Sequence, residues 1–77
     1  MNEKMLKKIV SVFIKTTPEH INKDTLIDNS VIQGSVLFHR MISRINDYFD
    51  VEIENYNKLK TYSDLLEEVK IKTQKHS

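Results

Sequence analysis

The sequence predicts an all-α fold, a small four-helix bundle with a long loop between helices 1 and 2. Three of the helices are the main ones, and the short one is third along the chain. Three observations favour this fold. Apolar residues recur three and four positions apart in three segments, as on one face of a helix. The chain of 77 residues holds one Gly and one Pro, too few for a sheet built on tight hairpins. Its 39% hydrophobic and 30% charged residues are typical of a single globular domain, residues 1–77.

The first helix is predicted from Asn2 to about Lys15. Asn2 is a suitable N-cap, and the helix is expected to end before Pro18, since the residue preceding a proline disfavours the helical conformation. Its apolar stripe is Leu6, Ile9, Val10 and Phe13, widened by Met5, Val12 and Ile14.

Residues 16–34 form the long loop, which is rich in turn-forming residues. Loops of this length are unusual in small domains and are often functional. Because apolar residues are spaced along it, we expect it to pack on the core. These residues are Ile21, Leu26, Ile27, Val31 and Ile32.

The second helix is predicted from about Ser35 to Phe49, with Gly34 or Ser35 as its cap. Residues 55–60 are expected to be irregular or to form one short turn. The last helix is predicted to start at Thr61, because Thr61 and Asp64 have the spacing of a capping box. The stripes are Phe38, Met41, Ile42, Ile45 and Phe49 in the second helix, and Tyr62, Leu65, Leu66 and Val69 in the last.

Charge and composition exclude several function classes. The net charge is +1 and is evenly spread, whereas nucleic-acid binders usually carry a dominant basic footprint. No apolar run approaches the roughly 20 residues that span a bilayer, and residues 1–4 do not open a signal peptide. We therefore expect a cytoplasmic monomer with no nucleic-acid and no membrane partner. The absence of Cys excludes disulfides and cysteine nucleophiles.

The sequence predicts no catalytic residues and no metal site, so we do not expect an enzyme. His20, His39 and His76 are far apart in the sequence, and His39 is expected to pack or hydrogen-bond near its helix start. The common catalytic and phosphate-binding motifs are absent. The acidic residues at 47, 50, 52 and 54 lack the spacing of a calcium-binding loop and are interpreted as a solvated helix end.

Ser35 is the one residue for which the sequence suggests a specific chemical role, the attachment of an anionic group. It lies where the long loop meets the second helix, and an anionic group on its oxygen would be favoured by the helix dipole and the free N–H groups. The structural alternative is that Ser35 is simply an N-cap.

From Leu6 onward, the chain resembles acyl carrier proteins in the placement of its elements. In that family a Ser opens the second helix after a long loop, an acidic–Ile segment follows, and a Thr opens the last helix. The corresponding residues here are 34–36 (GSV), 49–53 (FDVEI) and 58–66 (KLKTYSDLL), and residues 6–10 (LKKIV) resemble the family's first helix. The family usually has Asp where this chain has Gly34.

The resemblance implies that a phosphopantetheinyl transferase esterifies Ser35 with 4′-phosphopantetheine, making a phosphoprotein. The terminal thiol of this cofactor would hold an acyl group as a thioester, as in fatty acid or polyketide biosynthesis. The chain would then need no Cys of its own, because the working thiol belongs to the cofactor. Acyl-loading and acyl-using enzymes would be its partners.

The second helix indicates a specialised carrier with dedicated partners. Residues 35–46 contain no Asp or Glu, whereas fatty-acid carriers present an acidic second helix to basic enzymes. The predicted partner-binding residues are Leu37, Phe38, Arg40, Met41 and Arg44, although the spacing of Phe38 also suits the core. Two alternatives stay open. One is an interaction domain of the same fold that is never modified, and the other, disfavoured by the charge, is a small helical nucleic-acid binder.

Overall fold

A computed structural model describes residues 1–28, 31–32 and 34–74, so Asn29, Ser30, Gln33 and the tail that includes His76 lie outside the described residues. The all-α prediction is confirmed, since the described residues form no β-strand and only one isolated bridge, between Leu26 and Thr61. None of the helices in this part of the chain has the length and apolar character needed to cross a membrane. The elements are α1 (Glu3–Phe13), a 3₁₀ turn (Pro18–His20), α2 (Ser35–Phe49), a second 3₁₀ turn (Tyr56–Lys58) and α3 (Tyr62–Gln74).

The helix starts follow the predicted capping residues. The Asn2 side chain accepts a hydrogen bond from the Met5 amide at 3.2 Å, as expected of the cap of α1. The bounds predicted for α2 are confirmed. α1 ends at Phe13, two residues earlier than predicted, because the chain turns at Lys15, whose φ of 58° is left-handed. The segment 55–60, predicted to be irregular or a short turn, contains a single 3₁₀ turn.

The core lies where the three helices and both connecting segments meet. Most residues of the predicted apolar stripes are buried, whereas Phe13, Phe49 and Leu66 lie partly buried at its margin. The core therefore uses one face of each helix and the segments between them. Its members are Leu6, Ile9, Val10, Ile21, Ile27, Ile32, Phe38, Met41, Ile42, Ile45, Val51, Ile53, Leu59, Tyr62, Leu65 and Val69.

The long loop packs on the core, as predicted, through three of its five apolar residues. Ile21, Ile27 and Ile32 are buried, whereas Leu26 and Val31 are exposed by 47% and 39%. The loop is also tied to the residues that precede α3, since the Ile27 amide donates to the Lys60 carbonyl at 2.9 Å. The described residues of the loop are therefore part of the folded structure.

Polar groups inside the fold are paired. The buried Ser11 hydroxyl donates to the Lys8 carbonyl at 2.7 Å. The Tyr62 hydroxyl donates to the Glu3 carboxylate at 3.3 Å, which links α3 to α1. Burial, and then the negative charge of Glu3, raise the pKa of Tyr62 above its usual value. Among the described residues, no buried side-chain nitrogen or oxygen lacks a hydrogen-bond partner.

Candidate attachment site and partner surface

The start of α2 presents the Ser35 side chain to solvent. Gly34 is the N-cap, and no side chain caps this helix start. Ser35 is the first helical residue, is exposed, and has no hydrogen bond from its hydroxyl to any residue that the structure describes. Of the two predicted caps, Gly34 therefore holds the capping position, and the Ser35 oxygen is available for other chemistry.

The conformation of Gly34 explains why a glycine precedes Ser35. Its φ is 101° and its ψ 145°, a combination that side chains with a Cβ rarely adopt. A Cβ built there would meet no heavy atom within 4 Å, so backbone conformation rather than space favours glycine. An Asp at position 34, as carriers usually have, would be strained in this backbone.

The electrostatics at this site favour an anionic substituent. The first amide groups of an α-helix have no partner within the helix, and its N-terminus carries a partial positive charge. The first turn of α2 contains no acidic residue. The geometry thus offers an exposed primary hydroxyl next to groups that stabilise negative charge, which suits a phosphate ester.

His39, one turn beyond Ser35, is exposed and contacts Tyr56. Its Nδ1 lies 3.1 Å from the Tyr56 hydroxyl, and the two rings are 5.8 Å apart between centroids. This confirms that His39 hydrogen-bonds near the helix start. The Tyr56 ring also packs edge-to-face against the Phe38 ring, with 5.6 Å between their centroids. The second 3₁₀ turn therefore packs against the first half of α2.

The predicted partner-binding residues divide into two groups. Leu37, Arg40 and Arg44 are exposed on α2. Phe38 and Met41 are exposed by only 2% and 0%, so both are core residues in this structure and offer no surface to a partner. The prediction that Phe38 and Met41 bind partners is therefore corrected, because both share the buried face of α2 with Ile42 and Ile45.

A groove between α1 and α2 adds residues that the sequence analysis did not assign to a site. It has a volume of about 520 Å³ and includes Val12, Leu37, Arg40 and Arg44 among its lining residues. A second cavity of about 290 Å³ adjoins it, because Val12 and Arg44 line both, and Tyr48 contributes there. Val12 was assigned to the apolar stripe of α1, yet it is 63% exposed. In the sequence, the only indication of this exposure was the place of Val12 at the edge of that stripe.

The acidic segment after α2 does not assemble a metal site. Within the described residues, no three His, Asp or Glu side chains come together in a way that could hold a metal ion. Asp50 instead ends α2 in a left-handed conformation with φ 54°. The Asn46 side chain accepts the Ile53 amide at 3.0 Å, so this segment serves to turn the chain.

Comparisons with family models, with curated proteins and with solved structures give no match. The resemblance to acyl carrier proteins thus rests on the order of the elements and on the residues at their junctions. Ser35 at the first position of α2 is the junction that bears on function.

Proposed function

We propose that the protein is a cytoplasmic acyl carrier that bears 4′-phosphopantetheine on Ser35 and presents a thioester-bound acyl group to partner enzymes. The observation that carries the proposal is the Ser35 hydroxyl, which is exposed at the first position of α2 and is not used to cap the helix. The 3₁₀ turn Tyr56–Lys58 then corresponds to the short third helix of a four-helix carrier bundle.

In this function the protein supplies position and a partner enzyme supplies catalysis. Ser35 Oγ loses its proton and forms the new P–O bond, while the pyrophosphate bond of coenzyme A breaks and its nucleotide part leaves. The N-terminus of α2 would stabilise the negative charge of a phosphodiester on Ser35, by about 0.3–1 kcal/mol at an exposed site. The attached 4′-phosphopantetheine would supply the thiol for the thioester, so the chain would need no Cys of its own.

Intact mass spectrometry tests the proposal. The purified protein is incubated with coenzyme A, Mg²⁺ and a transferase of broad specificity, and the attached group adds about 340 Da. Ser35→Ala should abolish the gain completely, whereas Ser63→Ala, a matched change in α3 and outside the groove, should leave it unchanged. If several transferases produce no gain, or if the gain persists in Ser35→Ala, the carrier proposal is wrong.

The second candidate function is an unmodified interaction domain of the same fold. The observation that favours it is Gly34. Carriers usually have Asp before the serine, and the φ of 101° at this position disfavours any residue with a Cβ. Under this hypothesis the protein isolated from its own cells has the unmodified mass, and Ser35→Ala supports its pathway fully. A mass of the protein from its own cells that includes 4′-phosphopantetheine would exclude this second candidate.

A further inference from the structure

We infer that the groove between α1 and α2 is the docking site for an acidic amphipathic helix of a partner protein. The inference deepens the proposed function, since it describes the surface by which enzymes would engage the carrier. The groove lies beside the attachment residue without including it, because Leu37 lines the groove and Ser35 does not. Docking and attachment can therefore be measured separately.

The apolar part of this surface is open to solvent on both helices. Val12 of α1 is 63% exposed, and Leu37 and Tyr48 of α2 are 40% and 49% exposed. Val12 lines both adjoining cavities, Leu37 lines the larger one and Tyr48 the smaller. Large apolar side chains grouped along a groove mark interaction sites far better than single exposed ones. They provide the anchor positions that an amphipathic helix contacts at intervals of three and four residues.

The charged part of the surface specifies the sign of the partner. Lys8, Arg40 and Arg44 line the two cavities, against one acidic residue, Asp47. The Arg44 guanidinium carbon lies 5.8 Å from the Phe13 ring centroid, which keeps this cation at the point where the cavities adjoin. Cations around an apolar strip are complementary to a helix with a leucine face and flanking glutamates, because complementary potentials govern partner choice and association rate.

The length of the groove fits a short helix. On α2, the residues lining the two cavities run from Leu37 to Tyr48, which corresponds to about 17 Å at 1.5 Å per residue. About three helical turns of a partner cover this distance, enough for apolar anchors over Leu37, Val12 and Tyr48.

The test uses two synthetic helical peptides with the same leucine face, one flanked by Glu and the other by Lys. They are titrated against Ser35→Ala protein, so that attachment plays no part, with amide chemical shifts and fluorescence anisotropy as readouts. We expect the Glu peptide to bind at least about tenfold more tightly than the Lys peptide, about 1.4 kcal/mol. The shifts should center on Val12, Leu37 and Tyr48.

Matched variants assign the binding to the groove. R40E/R44E should lose at least about tenfold in affinity for the Glu peptide and gain affinity for the Lys peptide, which also shows that it is folded. K23E/K58E makes the same change in net charge at exposed lysines outside the groove and should change affinity less than about twofold. Leu37→Ala should weaken binding, and Val36→Ala, its exposed neighbour outside the groove, should not.

Several results would overturn the inference. They are equal affinity for both peptides, shifts centred away from the groove, or R40E/R44E and K23E/K58E weakening binding equally. Vesicles of phosphatidylcholine and phosphatidylserine that bind at these residues while the Glu peptide does not would identify a lipid surface instead. If attachment to Ser35 fails but the Glu peptide docks as described, the groove is supported and the carrier proposal falls. The reverse pattern rejects the groove alone.

Discussion

The N-termini of α2 and α3 are built in opposite ways. At α3, the Thr61 hydroxyl accepts the Asp64 amide at 3.3 Å, and the Asp64 carboxylate accepts the Thr61 amide at 3.2 Å. Two further amides, of Tyr62 and Ser63, donate to carbonyl groups of the long loop at 2.7 and 3.2 Å. At α2, a glycine with a left-handed φ holds the capping position, and no side chain caps the helix.

This difference separates a stabilising helix start from one that is open to other molecules. The α3 start has its amides paired within the chain and covered by the loop. The α2 start gains no stability from a side-chain cap, and a glycine in the capping position is usually only about a few tenths of a kcal/mol less stable there than Ser, Thr, Asp or Asn. Its exposed hydroxyl and its polarity are what a covalently attached anion requires.

The largest expected effect comes from removing the loop residue that covers the α3 start. Ile27 is fully buried, and its amide is bonded to Lys60, so Ile27→Ala should destabilise the protein by about 2–5 kcal/mol through lost burial and a cavity. Leu26→Ala, a comparable truncation at a residue 47% exposed, should cost much less. Urea unfolding of both variants measures the difference. Equal losses would mean that the loop does not depend on Ile27 for its position.

The next effect concerns the backbone at the open start. Gly34→Ala places a Cβ on a residue with φ 101° and ψ 145° and should reduce stability by about 1–3 kcal/mol. No atom obstructs the new methyl group, so the loss would come from conformation alone. Thermal unfolding checks it, with Ser43→Ala as the control within α2. An unchanged or raised unfolding temperature would show that the left-handed φ of residue 34 does not limit stability.

A smaller pair of substitutions compares the two starts directly. Thr61→Ala removes the cap of α3 and should cost about 1 kcal/mol, within a range of about 0.5–2 kcal/mol. Ser35→Ala removes an exposed hydroxyl that caps nothing and should change stability by less than about 0.5 kcal/mol. Denaturant unfolding of both variants measures these values. A loss at Ser35 equal to that at Thr61 would mean that Ser35 stabilises the start of α2, and the contrast between the two starts would disappear.

The helix starts were predictable because their signals are local. A cap and the residue three positions later are close in sequence, so Asn2, Thr61 and Asp64 could be identified without a fold. Ser35 and Gly34 were placed at the correct junction for the same reason. The sequence left open which of the two holds the capping position, because that choice depends on the backbone conformation of Gly34.

The interaction surface was only partly predictable. Periodicity indicates which residues share a helix face, but the width of the buried face depends on how neighbouring helices lie. Phe38 and Met41 were therefore included in the partner surface although they are buried, and Val12 was assigned to the stripe although it is exposed. The bonds between the long loop and the residues around the α3 start involve backbone groups far apart in sequence, for which no local pattern exists.

The smallest expected effect is a pH dependence confined to the α3 start. Hydrogen bonds from the Lys60 amide and then the Thr61 amide lower the pKa of Asp64 below its usual value. The ionised carboxylate therefore adds stability that is fully present above about pH 4 and is lost as the pH falls through the folded-state pKa. Because Asp64 is exposed, we expect this contribution to the free energy of unfolding to be less than about 1 kcal/mol.

The difference in stability between wild type and Asp64→Asn, measured by urea unfolding, should narrow from pH 6 to pH 3. If this difference is the same at both pH values, the carboxylate charge does not stabilise this start, and Thr61 with the loop carbonyl groups accounts for its advantage over α2.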